Sequence, residues 1–277
     1  RPLLRTNPWF RCRGRSGAWL GIMLERMFDL TDRIALVTGG NGGIGLGMAR
    51  GLGQAGATVL VAGRNAEKSA AALRELQSLG VRAESFAVDV TDEAAVQGLF
   101  DEVRSRHGRV DILVNNAGST VRKPPQDFTL DEWKAVMDVN LTSAFLCSRA
   151  AYPLMLQAGA GKVINIGSIM SIFGAPYAPA YCASKGGIVQ FTKSLALAWA
   201  KDNIQANAVL PGWIDTELTA GARAQVPGLN ERVLARTAAG RWGRPEDLAG
   251  VAVFLASRAS DFVTGTAIPV DGGYASS

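Results

Sequence analysis

Ile34-Ala35-Leu36-Val37-Thr38-Gly39-Gly40-Asn41-Gly42-Gly43-Ile44-Gly45 runs from a short aliphatic segment through a cluster of glycines into a helical pattern over 45–55. Glycines in such a turn permit a tight reversal and close backbone approach to a ligand, while the helix start offers unpaired N–H groups to anionic oxygens. Strand, glycine turn and helix in this order point to a cradle for the diphosphate of a dinucleotide, built from Thr38, Gly39, Asn41, Gly43, Ile44 and Gly45. The spacing is Gly39-xxx-Gly43-x-Gly45 and not the commonest GxGxxG.

Outward from this stretch the same alternation repeats. Aliphatic runs over 58–62, 83–88, 112–114, 162–166, 204–209 and 266–270 read as strands. Longer segments over 66–79, 93–107, 130–157, 183–200 and 245–256 read as helices, with Pro153 expected to bend the third near its end. Strands without inside–outside alternation, separated by helices of ten or more residues, predict a doubly wound parallel α/β sheet with helices on both faces. Ligands of such sheets bind beyond the carboxyl ends of the strands. Residues from Pro211 to about Gly228 read as a long irregular lid over the substrate.

At 277 residues, with 48% hydrophobic and 19% charged residues, the chain has the material for one large core and reads as a single α/β domain over 29–277. The single His107 and three dispersed cysteines, Cys12, Cys147 and Cys182, offer no zinc-ligand cluster, so no metal is expected. An odd cysteine count without framework spacing suits a reducing compartment, and a cytoplasmic location is expected. The whole net charge of +5 lies in residues 1–28, where six arginines face Glu25 alone. A body with no net charge gives no support to nucleic-acid binding. That stretch reads as a basic extension, disordered or arising from an upstream frame with Met23 or Met27 as the natural start; a targeting segment is the alternative. The longest uncharged run, 163–184, is interrupted by Asn, Gly, Ser and Pro, so no membrane span is expected.

Four further motifs fall where predicted strands end, and a fifth opens a helix. After the second strand comes Ala62-Gly63-Arg64-Asn65, which offers no carboxylate for a ribose 2′-hydroxyl but a planar guanidinium suited to a 2′-phosphate. This favours NADP(H), with NAD(H) left open and a merely solvated Arg64 as the alternative. Tyr181-Cys182-Ala183-Ser184-Lys185 opens a helix, placing Tyr181 and Lys185 on one face with Cβ atoms roughly 5–6 Å apart. A cation at that distance favours the phenolate of a group that otherwise ionises near pH ~10. Ser168 ends the strand before it, where its hydroxyl can hold a substrate oxygen. Asn115-Asn116-Ala117-Gly118 and Pro211-Gly212-Trp213-Ile214-Asp215-Thr216 follow two other strands.

In this order, TGxxxGIG, NNAG, the serine, YxxxK and PGxxxT, the chain over about 28–277 resembles the short-chain dehydrogenase/reductase family. The resemblance implies a single-domain, Rossmann-like fold, direct hydride transfer to or from a nicotinamide, and a homotetramer. It also implies the roles of a catalytic tetrad. Tyr181 is the general acid/base, Ser168 orients the carbonyl or hydroxyl, Lys185 binds the nicotinamide ribose and lowers the tyrosine pKa, and Asn140 supports a water that relays protons to Lys185. By the same resemblance Asp89-Val90 contacts adenine, Asn116-Ala117-Gly118 lies beside the adenosine ribose, and Pro211, Gly212, Ile214 and Thr216 flank the nicotinamide. The last third, from Ala239-Gly240-Arg241-Trp242-Gly243-Arg244-Pro245 to Asp271-Gly272-Gly273-Tyr274, resembles the sugar-acid branch acting on gluconate. Similar tails occur in reductases of 3-oxoacyl thioesters, so a thioester or a hydrophobic ketone is the alternative substrate. A nucleotide-sensing protein without turnover is the contrasting class.

Some single residues are read conservatively. Cys182 reads as a small helix residue in preference to a redox switch, and His107 as a helix-end cation. Trp199 and Trp213 read as substrate wall or core, with Trp213 the better candidate for the wall. Arg223 is the one obvious carboxylate partner in the expected lid.

Overall fold

The strands show no polar–apolar alternation because both faces of their sheet are covered. In the computed structural model, which describes residues 27–276, all of β1 (Ile34–Thr38) and β6 (Ile204–Pro211) is buried. These two join β2 (Thr58–Gly63), β3 (Ala83–Ala87), β4 (Ile112–Asn115), β5 (Gly161–Ile166) and β7 (Ala267–Val270) in one sheet ordered β3-β2-β1-β4-β5-β6-β7. Every neighbouring pair is parallel. Successive β1 side chains serve opposite cores. Ala35 and Val37 pack with Met48 and Leu52 of α1 (Gly43–Gln54), whereas Leu36 packs with Phe100, Met155 and Leu195 on the other face. The chain leaves β1 for β2 on one side and returns to β4 on the other, so a crevice opens at the carboxyl ends of β1 and β4. Most of the basic stretch, residues 1–26, lies outside the described residues, and with it Cys12.

Register at that crevice is fixed by buried side-chain amides. Thr38 lies opposite Asn115, and Asn115 opposite Asn165. Asn115 Nδ2 donates to Asn165 Oδ1 at 2.8 Å, and Asn165 Nδ2 donates to Thr192 Oγ1 at 2.9 Å. A shift of one residue would strand these groups without partners at a cost of about 1–3 kcal/mol each.

Helix boundaries follow local capping. Asn65 caps α2 (Ala66–Ser78) by accepting from Lys68 N, and Asp92 caps α3 (Glu93–His107) through Ala94 N and Ala95 N. Gly108, at φ 72°, ends α3 in the left-handed conformation that favours glycine. Thr129 and Glu132 form a reciprocal capping box at the start of α4 (Leu130–Met137).

Four expectations are corrected. The predicted helix over 130–157 is two helices, α4 and α5 (Ser143–Ala158), separated by a π turn at Asp138–Thr142. Asn140 lies in that turn and is drawn inward by partners on other segments, while Pro153 is accommodated inside α5. The helix predicted over 183–200 starts earlier, as α6 (Pro179–Trp199), because Pro179 suits a first helical turn. The expected irregular lid is mostly ordered. Strand β6 runs through Pro211, and Thr216 caps α7 (Glu217–Gln225), followed by α8 (Leu229–Arg236), which sequence reading missed. Leu229 and Val233 of α8 are buried with Ala222 against Trp213, Val226 and Trp242, a small cluster separate from the two main cores. The predicted helix over 245–256 begins as a 3-10 turn, Pro245–Leu248, before α9 (Ala249–Ala256). No helix among the described residues is long and apolar enough to cross a membrane.

Helix α1 packs on that 3-10 turn by backbone contact: a Cβ at Gly47 would sit 2.3 Å from the Pro245 carbonyl oxygen. Gly47→Ala is therefore expected to destabilise the protein by about 1–3 kcal/mol. Urea unfolding checks this as a lowered midpoint at unchanged slope; an unchanged midpoint would show that the contact relaxes freely.

Candidate functional site

The glycine turn leaves its helix start open. Gly42, the residue before α1, supplies no capping side chain, and the first turn of α1 carries no acidic residue. Gly39 and Gly43 have φ of 63° and 49°, the conformation that side chains resist. A helix N-terminus with uncapped N–H groups fits an anionic diphosphate. It borders a cavity of about 710 Å³ lined by Gly39, Asn41, Gly43, Ile44, Asn116 and Gly118 on one side and by Ser168, Tyr181, Lys185, Gly212, Ile214 and Thr216 on the other. That volume falls within the ~300–1,000 Å³ range of small-molecule and cofactor sites.

Not every expected nucleotide contact lines this cavity. Thr38 is buried beneath the turn, where its hydroxyl accepts from Asn116 N at 3.0 Å and Ala117 N at 3.1 Å. Asn116 Nδ2 donates to the Thr38 and Gly39 carbonyls, each at 3.1 Å, so Asn116 braces the turn. Val90 is packed into the core. Asp89 is held by Thr91 N and Oγ1, which together keep its carboxyl below its ordinary value, and lies 3.4 Å from the exposed Arg64 guanidinium. Arg64 follows Gly63, whose Cβ would touch Asn41 Nδ2 at 2.6 Å, but is not among the residues that line the cavity. Sequence reading missed Lys68 of α2 and Glu217 of α7, both lining the cavity and paired as ions.

Four residues from three parts of the chain converge at the inner end. Ser168 follows β5, Tyr181 and Lys185 lie one turn apart on α6, and Asn140 comes from the π turn. Lys185 Nζ donates to the Ile166 carbonyl at 2.7 Å and lies 5.7 Å from the Tyr181 ring centroid. Asn140 Oδ1 accepts from Ser119 N at 2.7 Å, and its Nδ2 donates to Ser119 O at 3.0 Å and Ser184 Oγ at 2.9 Å. A Cβ on Gly118 would lie 3.3 Å from Asn140 Oδ1 and 3.6 Å from Lys185 Nζ, which places those two groups side by side.

Burial governs the charges here. It pushes Lys185 down to about 8. The same surroundings push the Tyr181 phenol above its ordinary value, with a hydrogen bond to Ser168 and the charge of Arg122 pulling the other way.

A smaller cavity of about 80 Å³ adjoins the first and shares Ser168, Tyr181 and Gly212 with it. Its other walls include Arg122, Tyr177 and Trp213. Arg122 was missed at the sequence level although it lies four residues after Gly118, just beyond β4. Its Nη2 donates to the Leu218 carbonyl at 2.7 Å and its Nη1 to Gln225 Oε1 at 3.3 Å. Both partners are neutral. Arg223, the expected carboxylate partner, is instead paired with Asp215 and stacked on Trp242 at 4.5 Å, outside the cavity walls. Trp213 lines the cavity and meets Trp242 edge-on, whereas Trp199 stacks on Tyr152 at 4.8 Å against the core. Burial raises the Cys182 thiol, which disfavours a reactive thiolate. His107 ends α3 beside Glu84, away from both cavities. No group of metal-ligating side chains occurs among the described residues.

Comparison with known proteins agrees with this geometry. A family model described as enoyl-(acyl carrier protein) reductase matches residues 39–275. The chain is 42% identical over 248 residues to 2-dehydro-3-deoxy-D-gluconate 5-dehydrogenase of Formosa agariphila, covering 89% of this chain and 94% of that protein. It is 39% identical over 247 residues to gluconate 5-dehydrogenase of Gluconobacter oxydans, covering 89% and 96%. The crystal structure of a gluconate 5-dehydrogenase from Burkholderia cenocepacia in complex with NADP and tartrate superposes with a TM-score of 0.87 at 42% identity, covering 92% of this chain and 99% of that one.

The buried lysine has a measurable signature. With Lys185 at about 8 in the fold against 10.5 ordinarily, the unfolded chain binds more protons between those values. Stability through this group therefore rises with pH across that window, and below it the buried ammonium weighs against the fold. Lys185→Met is expected to be at least as stable as the parent at pH 7 and to lose the rise between pH ~8 and ~10.5. Urea unfolding across that range decides the matter; parallel pH profiles would mean that Lys185 does not titrate there.

Proposed function

Because the chain belongs to the short-chain dehydrogenase/reductase family, we propose that it interconverts a ketone and a secondary alcohol on a sugar acid of the gluconate and 5-ketogluconate type, with NADP(H) as cofactor. The observation that carries this reading is the junction of the two cavities at Ser168 and Tyr181, with the Arg122 guanidinium on the wall of the smaller one.

A bound nicotinamide supplies or accepts the hydride. Gly39, Asn41, Gly43, Ile44 and Gly45 would hold its diphosphate, and Pro211, Gly212, Ile214 and Thr216 would flank the ring. Arg64 would meet a 2′-phosphate with the free side of its fork, which favours NADP(H). Ser168 holds the reacting oxygen by its hydroxyl, and Tyr181 gives that oxygen a proton in reduction or takes one in oxidation. Lys185, set near 8 by burial, sits where protons pass between the phenol and the Asn140 side, close enough to neutral pH to gain or lose one. Arg122 recognises the substrate carboxylate: its bonds go to neutral oxygens, so its charge is not already matched by an acid, and a planar fork suits a carboxylate.

The assay follows nicotinamide absorbance, with NADPH and NADH tested separately against 5-ketogluconate, acetoacetyl thioesters and neutral ketones. Turnover of the keto acid with NADPH preferred is expected; NADH preference would remove the role given to Arg64, and activity on thioesters alone would move the chain to acyl reduction. Arg122→Ala should raise KM for the keto acid about 10–100-fold, the loss of a charged hydrogen bond, and leave KM for neutral ketones unchanged. Tyr181→Phe should lower kcat by about 10²–10⁴-fold with NADPH binding retained; unchanged biological effect without turnover would instead support a nucleotide sensor.

The active form we infer is a homotetramer. Phe262 is fully exposed, Leu197 of α6 nearly so, and Phe145 of α5 nearly half, apolar side chains that association would cover. Light scattering at micromolar concentration is expected to give four chains per particle, and a monomer would refute the assembly.

A further inference from the structure

The chemistry proposed above makes no use of the residues that hold one wall of the smaller cavity in place. That wall is the segment between Ser168 and Tyr181, which contributes Ala175, Tyr177 and Ala178. On the same segment, Phe173 is stacked against the guanidinium of Arg236, 4.7 Å from its ring centroid. Arg236 is the last residue of α8, and its guanidinium also lies over the ring of Tyr274 at 4.4 Å. The two rings meet edge-on with centroids 6.3 Å apart, so the cation is shared between them.

Tyr274 reaches this position because the chain folds back after β7. Gly272 and Gly273 have φ of 63° and 84°, and Cβ atoms there would crowd Thr237 Cγ2 and Ala238 Cβ, each at 2.9 Å. Ala239 N donates to the Gly272 carbonyl at 2.9 Å, and Asp271 accepts from Gly273 N at 2.9 Å and Ala275 N at 2.7 Å. Asp271 also presses on Gly212, where a Cβ would lie 2.7 Å from its Cα, and Gly212 lines both cavities. The C-terminal turn therefore touches the substrate side at two points, one through backbone and one through the stacked arginine.

We propose that Arg236 and Tyr274 are positioning residues: the C-terminal turn, acting through the Phe173–Arg236–Tyr274 stack, holds the segment over 172–178 in the conformation that forms the substrate wall. The assignment of the smaller cavity to substrate rests on the function proposed above, whereas the anchoring itself does not. Cation–π contact on two faces is strong enough to matter and weak enough to be removed without unfolding the sheet.

The test compares the full chain with Tyr274→Ala, Tyr274→Phe and Arg236→Leu. Amide exchange reports the anchoring directly, since Ile172 N and Phe173 N donate to the Ile169 carbonyl and Ala178 N to the Ala175 carbonyl. Tyr274→Ala and Arg236→Leu should speed exchange over 172–178 about tenfold, and Tyr274→Phe, which keeps the ring, should not; tenfold corresponds to about 1.4 kcal/mol. Exchange in β1 and β6 should stay unchanged. With 5-ketogluconate as substrate, the first two variants should raise KM by about tenfold at nearly constant kcat and NADPH affinity, and Tyr274→Phe should restore KM. Unchanged exchange over 172–178 in folded Tyr274→Ala and Arg236→Leu would overturn the proposal, as would equal kinetic losses in Tyr274→Ala and Tyr274→Phe. If Tyr274→Ala fails to fold, Arg236→Leu carries the comparison. Failure of the parent to turn over 5-ketogluconate would count against the substrate reading, and the exchange data would still decide the anchoring.

Discussion

Two backbones approach each other beneath the glycine turn more closely than side chains allow, and the site takes its shape from that approach. Cβ atoms on Gly39 and Gly45 would lie 3.0 and 2.4 Å from Asn116 Nδ2. Asn116 fills this space with hydrogen bonds to the Thr38 and Gly39 carbonyls, so the turn is held by β4's successor residue and not only by its own glycines. From there the constraint passes sideways along buried amides, Asn115 to Asn165 and Asn165 to Thr192 on α6. The helix that carries Tyr181 and Lys185 is thereby tied to the strand that carries the glycine turn. Buried polar links of this kind are costly to break and define a single register, which is how Tyr181, Lys185 and the glycine turn from distant parts of the chain keep fixed positions.

The sheet was legible because its strands are buried on both faces, leaving aliphatic runs that only a covered parallel sheet explains. Ser168 was legible because it trails the end of β5, and Tyr181 and Lys185 because their four-residue spacing at a helix start puts them on one face. What escaped sequence reading depends on contacts between distant segments. The π turn at Asp138–Thr142 has ordinary helical composition, and its distortion accompanies the hold of Ser119 and Ser184 on Asn140. Helix α7 was hidden by its small residues, although Thr216 before Glu217 is a recognisable helix start. Arg122 stood at a strand's carboxyl end, but its direction depends on Leu218 and Gln225 of that unrecognised helix.

Tyr181 and Lys185 face one electrostatic problem together. Burial disfavours the phenolate and the ammonium alike, so each is pushed toward its neutral form when considered alone. In the proposed reaction a phenol held neutral by burial has its proton when a ketone needs one, and Lys185 beside it lies close to neutral pH.

The side chains proposed to react and those proposed to contact substrate are held by different kinds of force. Ser168, Tyr181, Lys185 and Asn140 sit on or beside the sheet, where buried hydrogen bonds fix them. The walls around them come from segments outside the sheet and are held mainly by arginines: Arg122 on the Leu218 carbonyl, Arg223 on Trp242 and Arg236 between Phe173 and Tyr274. Partly exposed cation–π and hydrogen-bond contacts are worth about 0.5–2 kcal/mol each, well below the loss of a buried amide network. The wall arginines hold loop and helix segments by these weaker contacts, whereas Asn115 and Asn116 brace the sheet and the glycine turn, with Arg122 also acting by its charge on the Tyr181 phenol. The weaker contacts therefore lie in segments outside the sheet, although some of these, Gly212 and Leu218 among them, line both cavities.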